Sequence, residues 1–159
     1  MQAVATLCGS TGAGLPEGLV SWRRAIIEGN RAFKDGRQLD AMRHYTKALA
    51  IAHALFGQIE DAEAGVAAWV VAHHNLADTC ERLGRCAEQR QYLCAAHRRL
   101  CLAMDDASLP ASWQEAALRH SRRTYGELTR FLSQYPDDQQ AMDACRQGAA
   151  GPPSGQPMQ

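Results

Sequence analysis

Between residue 16 and about residue 147, apolar residues recur at steps of three and four, the interval that places side chains on one face of an α-helix. Trp22, Ile26, Gly29 and Phe33 form a first stripe, and Leu39, Met42, Tyr45, Leu49 and Ala52 a second. A third carries Val66, Trp69, Val70, His73, Leu76, Cys80 and Leu83, and a fourth Leu93, Ala96, Leu100 and Met104. Trp113, Ala117, His120, Leu128, Phe131 and Leu132 mark a fifth. Breaks separate them at "KDGRQ", Phe56-Gly57, "RLGRC", "DDASLP" and Tyr135-Pro136. Pro16 is tolerated in a first turn, Glu17 complements the positive helix end, and Gly36 suits the left-handed residue that ends a helix. The pattern predicts five long helices and a short sixth from Asp138 to about Arg146.

Turns as short as "KDGRQ" and "RLGRC" make the flanking helices fold back as antiparallel pairs. The expectation is an all-α domain over 16–147, with hairpins at about 16–57 and 61–104 and an incomplete third unit at 109–147. Residues 1–15 lack periodicity and 148–159 are rich in Gly, Pro and Gln, so both ends read as flexible tails. "GSTGAG" at 9–14 lacks the Gly-Lys-Ser/Thr ending and the preceding strand of a phosphate loop, which leaves it part of the first tail.

Lys plus Arg and Asp plus Glu are 17 each, so no strong field draws the chain to nucleic acid or to an anionic membrane. The N-terminal stretch has no basic start and only a short apolar run, unlike a signal peptide or a membrane span, which points to the cytoplasm. Six cysteines without a CxxC pair do not read as a disulfide framework there.

Residue identities at the first hairpin add more than periodicity does. Gly29 in helix A, Gly36 in the turn, and Ala41, Tyr45 and Ala48 in helix B are the small, turn, small, aromatic and small positions of a helical hairpin that resembles the tetratricopeptide repeat (TPR). The second unit repeats the pattern through Leu76, Ala77, Gly84, Leu93 and Ala96, with Gln89 where Ala is expected. The units begin about 48 residues apart instead of the usual ~34, with "ALFGQIEDAEAG" as the surplus. The resemblance covers roughly residues 20–135 and implies hairpins stacked as a short right-handed superhelix. It also implies a concave surface lined by the A helices.

On that surface the resemblance puts Arg23, Asn30, Phe33 and Lys34 from helix 1, then His74, Asn75, Asp78 and Arg82 from helix 3. Arg119, Arg122 and Arg123 of helix 5 could add charge. Amides and cations of this kind hold a peptide backbone or a terminal carboxylate. Some family members clamp a C-terminal carboxylate through two Asn positions that Asn30 and Asn75 match, but Ile26 stands where their first basic residue belongs. Asn30 stands out because packing alone gives no reason for an amide at that position. The resulting expectation is a non-catalytic protein-binding module, of the adaptor or co-chaperone type, with a peptide or partner helix in the groove and self-association through the incomplete third unit. "RHSRR" at 119–123 is too small a basic patch for an RNA site.

A second expectation comes from the second hairpin. His73, His74, Cys94 and His97 are ligand types that zinc or copper accepts, and Cys94 and His97 are three apart on one helix. Buried neutral packing accounts for the same residues. No nucleophile, base and orienting acid form a local motif, so an enzyme is not expected.

Overall fold

The computed structural model describes residues 16–149. Six helices follow in order: α1 Glu17–Lys34, α2 Gln38–Leu55, α3 Ala62–Arg82, α4 Cys86–Met104, α5 Ala111–Gln134 and α6 Gln139–Ala149. No strand occurs among these residues, and each helix packs against its neighbours in sequence. The tail expected at 1–15 lies outside the described residues, as do residues 150–159 of the tail expected at 148–159; positions 148 and 149 belong instead to α6, which runs three residues past its expected end.

The helix ends follow local chemistry. Pro16 precedes α1, and Asp61 caps α3 by accepting a hydrogen bond from the Ala64 amide at 3.0 Å. The two tight turns are copies of one another at positions 36 and 84, 48 apart. The Gly36 amide bonds the Phe33 carbonyl and the Arg37 amide that of Ala32; the Gly84 amide bonds Glu81 and the Arg85 amide Cys80. Both glycines are left-handed, at φ 75° and 69°, a conformation that a β-carbon penalises. This fixed repeat makes Asn30 equivalent to Asp78, Tyr45 to Leu93, and Ala41 to Gln89.

α1, α3 and α5 run in one direction as a layer. Phe33 and Arg82 meet near the ends of α1 and α3, while Glu63 reaches Arg119 and Glu81 reaches Arg130 along α3 and α5. The even-numbered helices stand against the other side of this layer. In the first hairpin the Tyr45 ring lies on Gly29, where any β-carbon would intrude on the ring. Ala32, Ala41 and Ala48 keep the helices equally close around it, and all three are fully buried. α2 and α3 absorb the surplus between units, together with a turn at Gly57.

Phe56, expected only to end α2, is instead a core hub. Its ring lies 5.5 Å from Trp69 of α3 and 5.0 Å from Trp113 of α5, with the Arg99 guanidinium of α4 stacked over it at 4.5 Å. Leu39 departs from expectation in the other direction: it is 65% exposed, because the buried line of α2 runs through Ala41, Tyr45, Ala48 and Ala52, and Leu39 lies off it.

Candidate concave site

Three parallel stripes face the same side of the odd-helix layer. On α1 the residues are Arg23, Ile27, Asn30 and Lys34, at steps of four, three and four. On α3 they are His74, Asn75, Asp78 and Arg82, and on α5 Arg119, Arg123, Glu127 and Arg130. Arg122 borders this α5 stripe. It stands three residues from both Arg119 and Tyr125, at the edge of the stripe toward Leu118.

Several expected groove residues already have partners inside the protein. Asn30 accepts a hydrogen bond from the Tyr45 hydroxyl at 2.7 Å. That contact supplies the packing reason for an amide that the sequence left without one. The Arg82 guanidinium lies 4.7 Å over the Phe33 ring. Arg119 pairs with Glu63 at 2.8 Å, and His120 bonds the second oxygen of the same carboxylate at 2.6 Å. Arg130 reaches Glu81 at 3.4 Å, Glu127 at 3.3 Å and Asp78 at 3.9 Å. Arg23, Lys34 and Arg123 are exposed and have no ion pair among the described residues. Glu63, His120, Glu127 and Arg130 were missed by sequence reasoning. Continuing the Arg119–Arg123 stripe by steps of four and three reaches Glu127 and Arg130 directly.

His74 forms the floor between α3 and α5. It is 5% exposed, and neither ring nitrogen has a hydrogen-bond partner. Burial, reinforced by Arg123, His73 and Arg130, brings its pKa down to about 3, so the ring is neutral and offers one donor and one acceptor. Asp78, half of whose side chain is in solvent, is pushed the other way, up to about 6, by partial burial and the neighbouring Glu127 and Glu81, with Arg130 opposing. Polar atoms buried without partners are rare in folded proteins and each costs roughly 1–3 kcal/mol.

The residues of the metal expectation point apart. The His73 ring donates through Nδ1 to the Trp69 carbonyl at 2.8 Å, and its burial lowers the pKa to about 4. Cys94 donates to the Gln140 carbonyl of α6 at 3.7 Å, whereas His97 meets Thr124 of α5 at 2.7 Å through Nδ1. Cys101 Sγ lies 3.4 Å from His97 Nε2, and the Thr124 hydroxyl in turn donates to the Ser121 carbonyl. Cys94 and His97 are therefore three apart in sequence but serve different neighbouring helices. Among the described residues no three His, Cys, Asp or Glu side chains converge as a metal site requires. Burial raises the thiols of Cys80, to about 11, and of Cys94, Cys101 and Cys145, which keeps them protonated. No helix of the described residues is long and apolar enough to cross a membrane.

Paired helices stacked into a layer with one polar face define an all-α protein of helical-hairpin architecture. Residues 20–150 match the family described as "Protein of unknown function (DUF2753)", and the chain belongs to that family. No curated protein and no solved structure matches it.

Proposed function

We propose that the chain is a non-catalytic protein-interaction module of TPR-like hairpins, whose concave face on α1, α3 and α5 takes an extended peptide or a helix of a partner protein. The observation that carries this reading is His74, a buried imidazole with both nitrogens unsatisfied at the floor of three parallel polar stripes. Asn75 and Arg123 stand beside it on α3 and α5. A peptide backbone offers the complementary donor and acceptor, and exposed cations at Arg23, Lys34 and Arg123 suit carboxylates along the same segment.

Affinity capture from cells that express the protein, followed by mass spectrometry, tests the reading. Asn75→Ala and Arg123→Glu should each deplete the captured partner, whereas Arg43→Ala on α2, remote from the face, should not. All three should melt like the wild type, because the replaced side chains are at least partly in solvent. Equal capture by Asn75→Ala, Arg123→Glu and the wild type would rule out the concave face.

A further inference from the structure

The two layers are not packed alike. α1 with α3, α3 with α5 and α4 with α6 each bring Cα atoms within 8 Å of one another, but α2 and α4 do not. These two helices stand clear of each other, and side chains fill the space between them. α3 supplies the floor of that cleft: Trp69 and His73 lie one turn apart on its side toward the even-numbered helices, their rings 4.2 Å apart. The rings continue to both walls, with His53 of α2 5.9 Å from Trp69 and Tyr92 of α4 6.4 Å from His73. Arg99, two turns beyond Tyr92, completes the α4 wall. α6 meets the opposite side of α4 through Arg90 and Cys94, so described residues alone bound the cleft. At its rim Thr46, His53 and Ala95 are exposed.

Three polar groups here have nothing to bond. The Arg99 guanidinium stacks on Phe56 at 4.5 Å and makes neither a hydrogen bond nor an ion pair among the described residues. Asp106, whose carboxylate feels the Arg99 charge, is taken up instead by the amide and hydroxyl of Ser108, at 2.9 and 2.6 Å. Trp69 is 7% exposed, and its Nε1 is buried without a partner. His73 is 3% exposed; its Nδ1 carries the proton, because it faces a carbonyl, so Nε2 holds a lone pair to which no described residue donates. Orphaned groups of this kind are rare inside proteins. An anion at Arg99 and a donor at His73, on a planar body among the rings, would satisfy them. Trp69 and His73 are about 6 Å apart along α3, and Tyr92 and Arg99 about 10 Å apart along α4, the span of one substituted ring.

We propose that the cleft between α2 and α4 binds a small aromatic carboxylic acid that bears a ring hydroxyl or a ring N–H. The carboxylate takes parallel hydrogen bonds from the Arg99 guanidinium, the ring lies on Trp69 between His53 and Tyr92, and the ring's own donor bonds His73 Nε2. Trp69 Nε1 adds a donor from the floor. At one end Arg99 over Phe56 joins α4 to α2, which suits a single ring and not a chain running through. The cleft lies on the side of the odd-helix layer away from the concave face and does not rest on the reading of that face.

The test uses the full chain labelled with nitrogen-15 and follows the indole N–H signals of Trp22, Trp69 and Trp113 by NMR, the Trp69 signal being the one that Trp69→Phe removes. 4-Hydroxybenzoate, added up to about 10 mM, should move the Trp69 signal saturably and leave that of Trp22 in place. 4-Hydroxybenzamide, which lacks the charge, and benzoate, which lacks the ring donor, should each bind about tenfold more weakly. Arg99→Gln should weaken 4-hydroxybenzoate about tenfold as well, and Arg99→Lys should recover part of the loss. If Arg99→Gln melts early through its contact with Phe56, the acid and the amide compared on the wild type decide the same point. A Trp69 signal that stays still, equal binding of the amide or of benzoate, or undiminished binding by a folded Arg99→Gln would overturn the proposal. So would shifts confined to the concave face, which would place the acid on Arg123.

Discussion

Replacing Asn30 with Ala removes the acceptor of the Tyr45 hydroxyl while leaving that hydroxyl where it is. Tyr45 is 1% exposed and its ring is fixed against Gly29, so the freed O–H cannot swing out to water. An unsatisfied buried donor costs roughly 1–3 kcal/mol. Tyr45→Phe leaves the opposite remainder: the Asn30 amide is only half-buried and can turn toward solvent, so the loss is that of one hydrogen bond, about 0.5–1.5 kcal/mol. The double variant leaves no orphaned group and should be more stable than Asn30→Ala alone, a coupling that a double-mutant cycle reads directly. For a helical domain of this size each kcal/mol shifts the midpoint by roughly 3–5 °C. Urea titration and thermal melts followed by circular dichroism supply all four corners of the cycle. If Asn30→Ala melts with the wild type, or if adding Tyr45→Phe to it lowers stability further by its full single-variant amount, the packing role assigned to Asn30 is wrong.

Three further outcomes can be measured by the same methods. His73 and His74 are held neutral with pKa values of about 4 and about 3, below the ordinary value near 6.5, so the unfolded chain binds the extra protons as pH falls. Stability should therefore be full above about pH 6.5 and decline toward pH 4, by up to about 1.4 kcal/mol per pH unit for each ring. Asp78, raised to about 6, opposes this modestly in the same window because it is half in solvent; His74→Leu should flatten the profile, and a stability constant from pH 7 to 5 would contradict the assignment. Gly65→Ala should destabilise by about 1–3 kcal/mol because a β-carbon there meets the buried Trp113 ring, whereas Gly126→Ala, with open space, should stabilise α5 by about 0.5–1 kcal/mol; the opposite order of melting temperatures would refute the contact. Asp61→Ala should cost about 1 kcal/mol through loss of the α3 cap, and an unchanged urea midpoint would deny the cap that role.

The helices and their pairing were legible because stripe and break agree at every boundary: a four-and-three stripe ends at Gly36 and again at Gly84, and both glycines take the left-handed turn. The role of Asn30 was not legible. Its partner Tyr45 is 15 residues away, and only the antiparallel return of α2 brings the hydroxyl to it. The arrangement of the residues of the metal expectation rests on the same kind of information. Three residues along a helix place Cys94 and His97 on adjoining faces, and which neighbour each face meets depends on α5 and α6. Arg119, Arg122 and Arg123 spread around α5 instead of sharing one line, because neighbouring positions on a helix diverge by about 100°. Phe56 gave no signal at all, since a residue that closes one helix carries no periodicity of its own.

Phe56 has one further consequence. A linear stack of repeats, each touching only the next, can lose an end unit while the others stand, and its unfolding then spreads over several steps. Here a single ring at the end of α2 is clasped by α3, α4 and α5, so the first hairpin and the third unit share a contact across the second. Fraying of α5 would strip Trp113 from Phe56 and loosen α2 with it. The helices from α2 to α5 should therefore melt in one transition, and shortening Phe56 should broaden that transition as well as lower its midpoint.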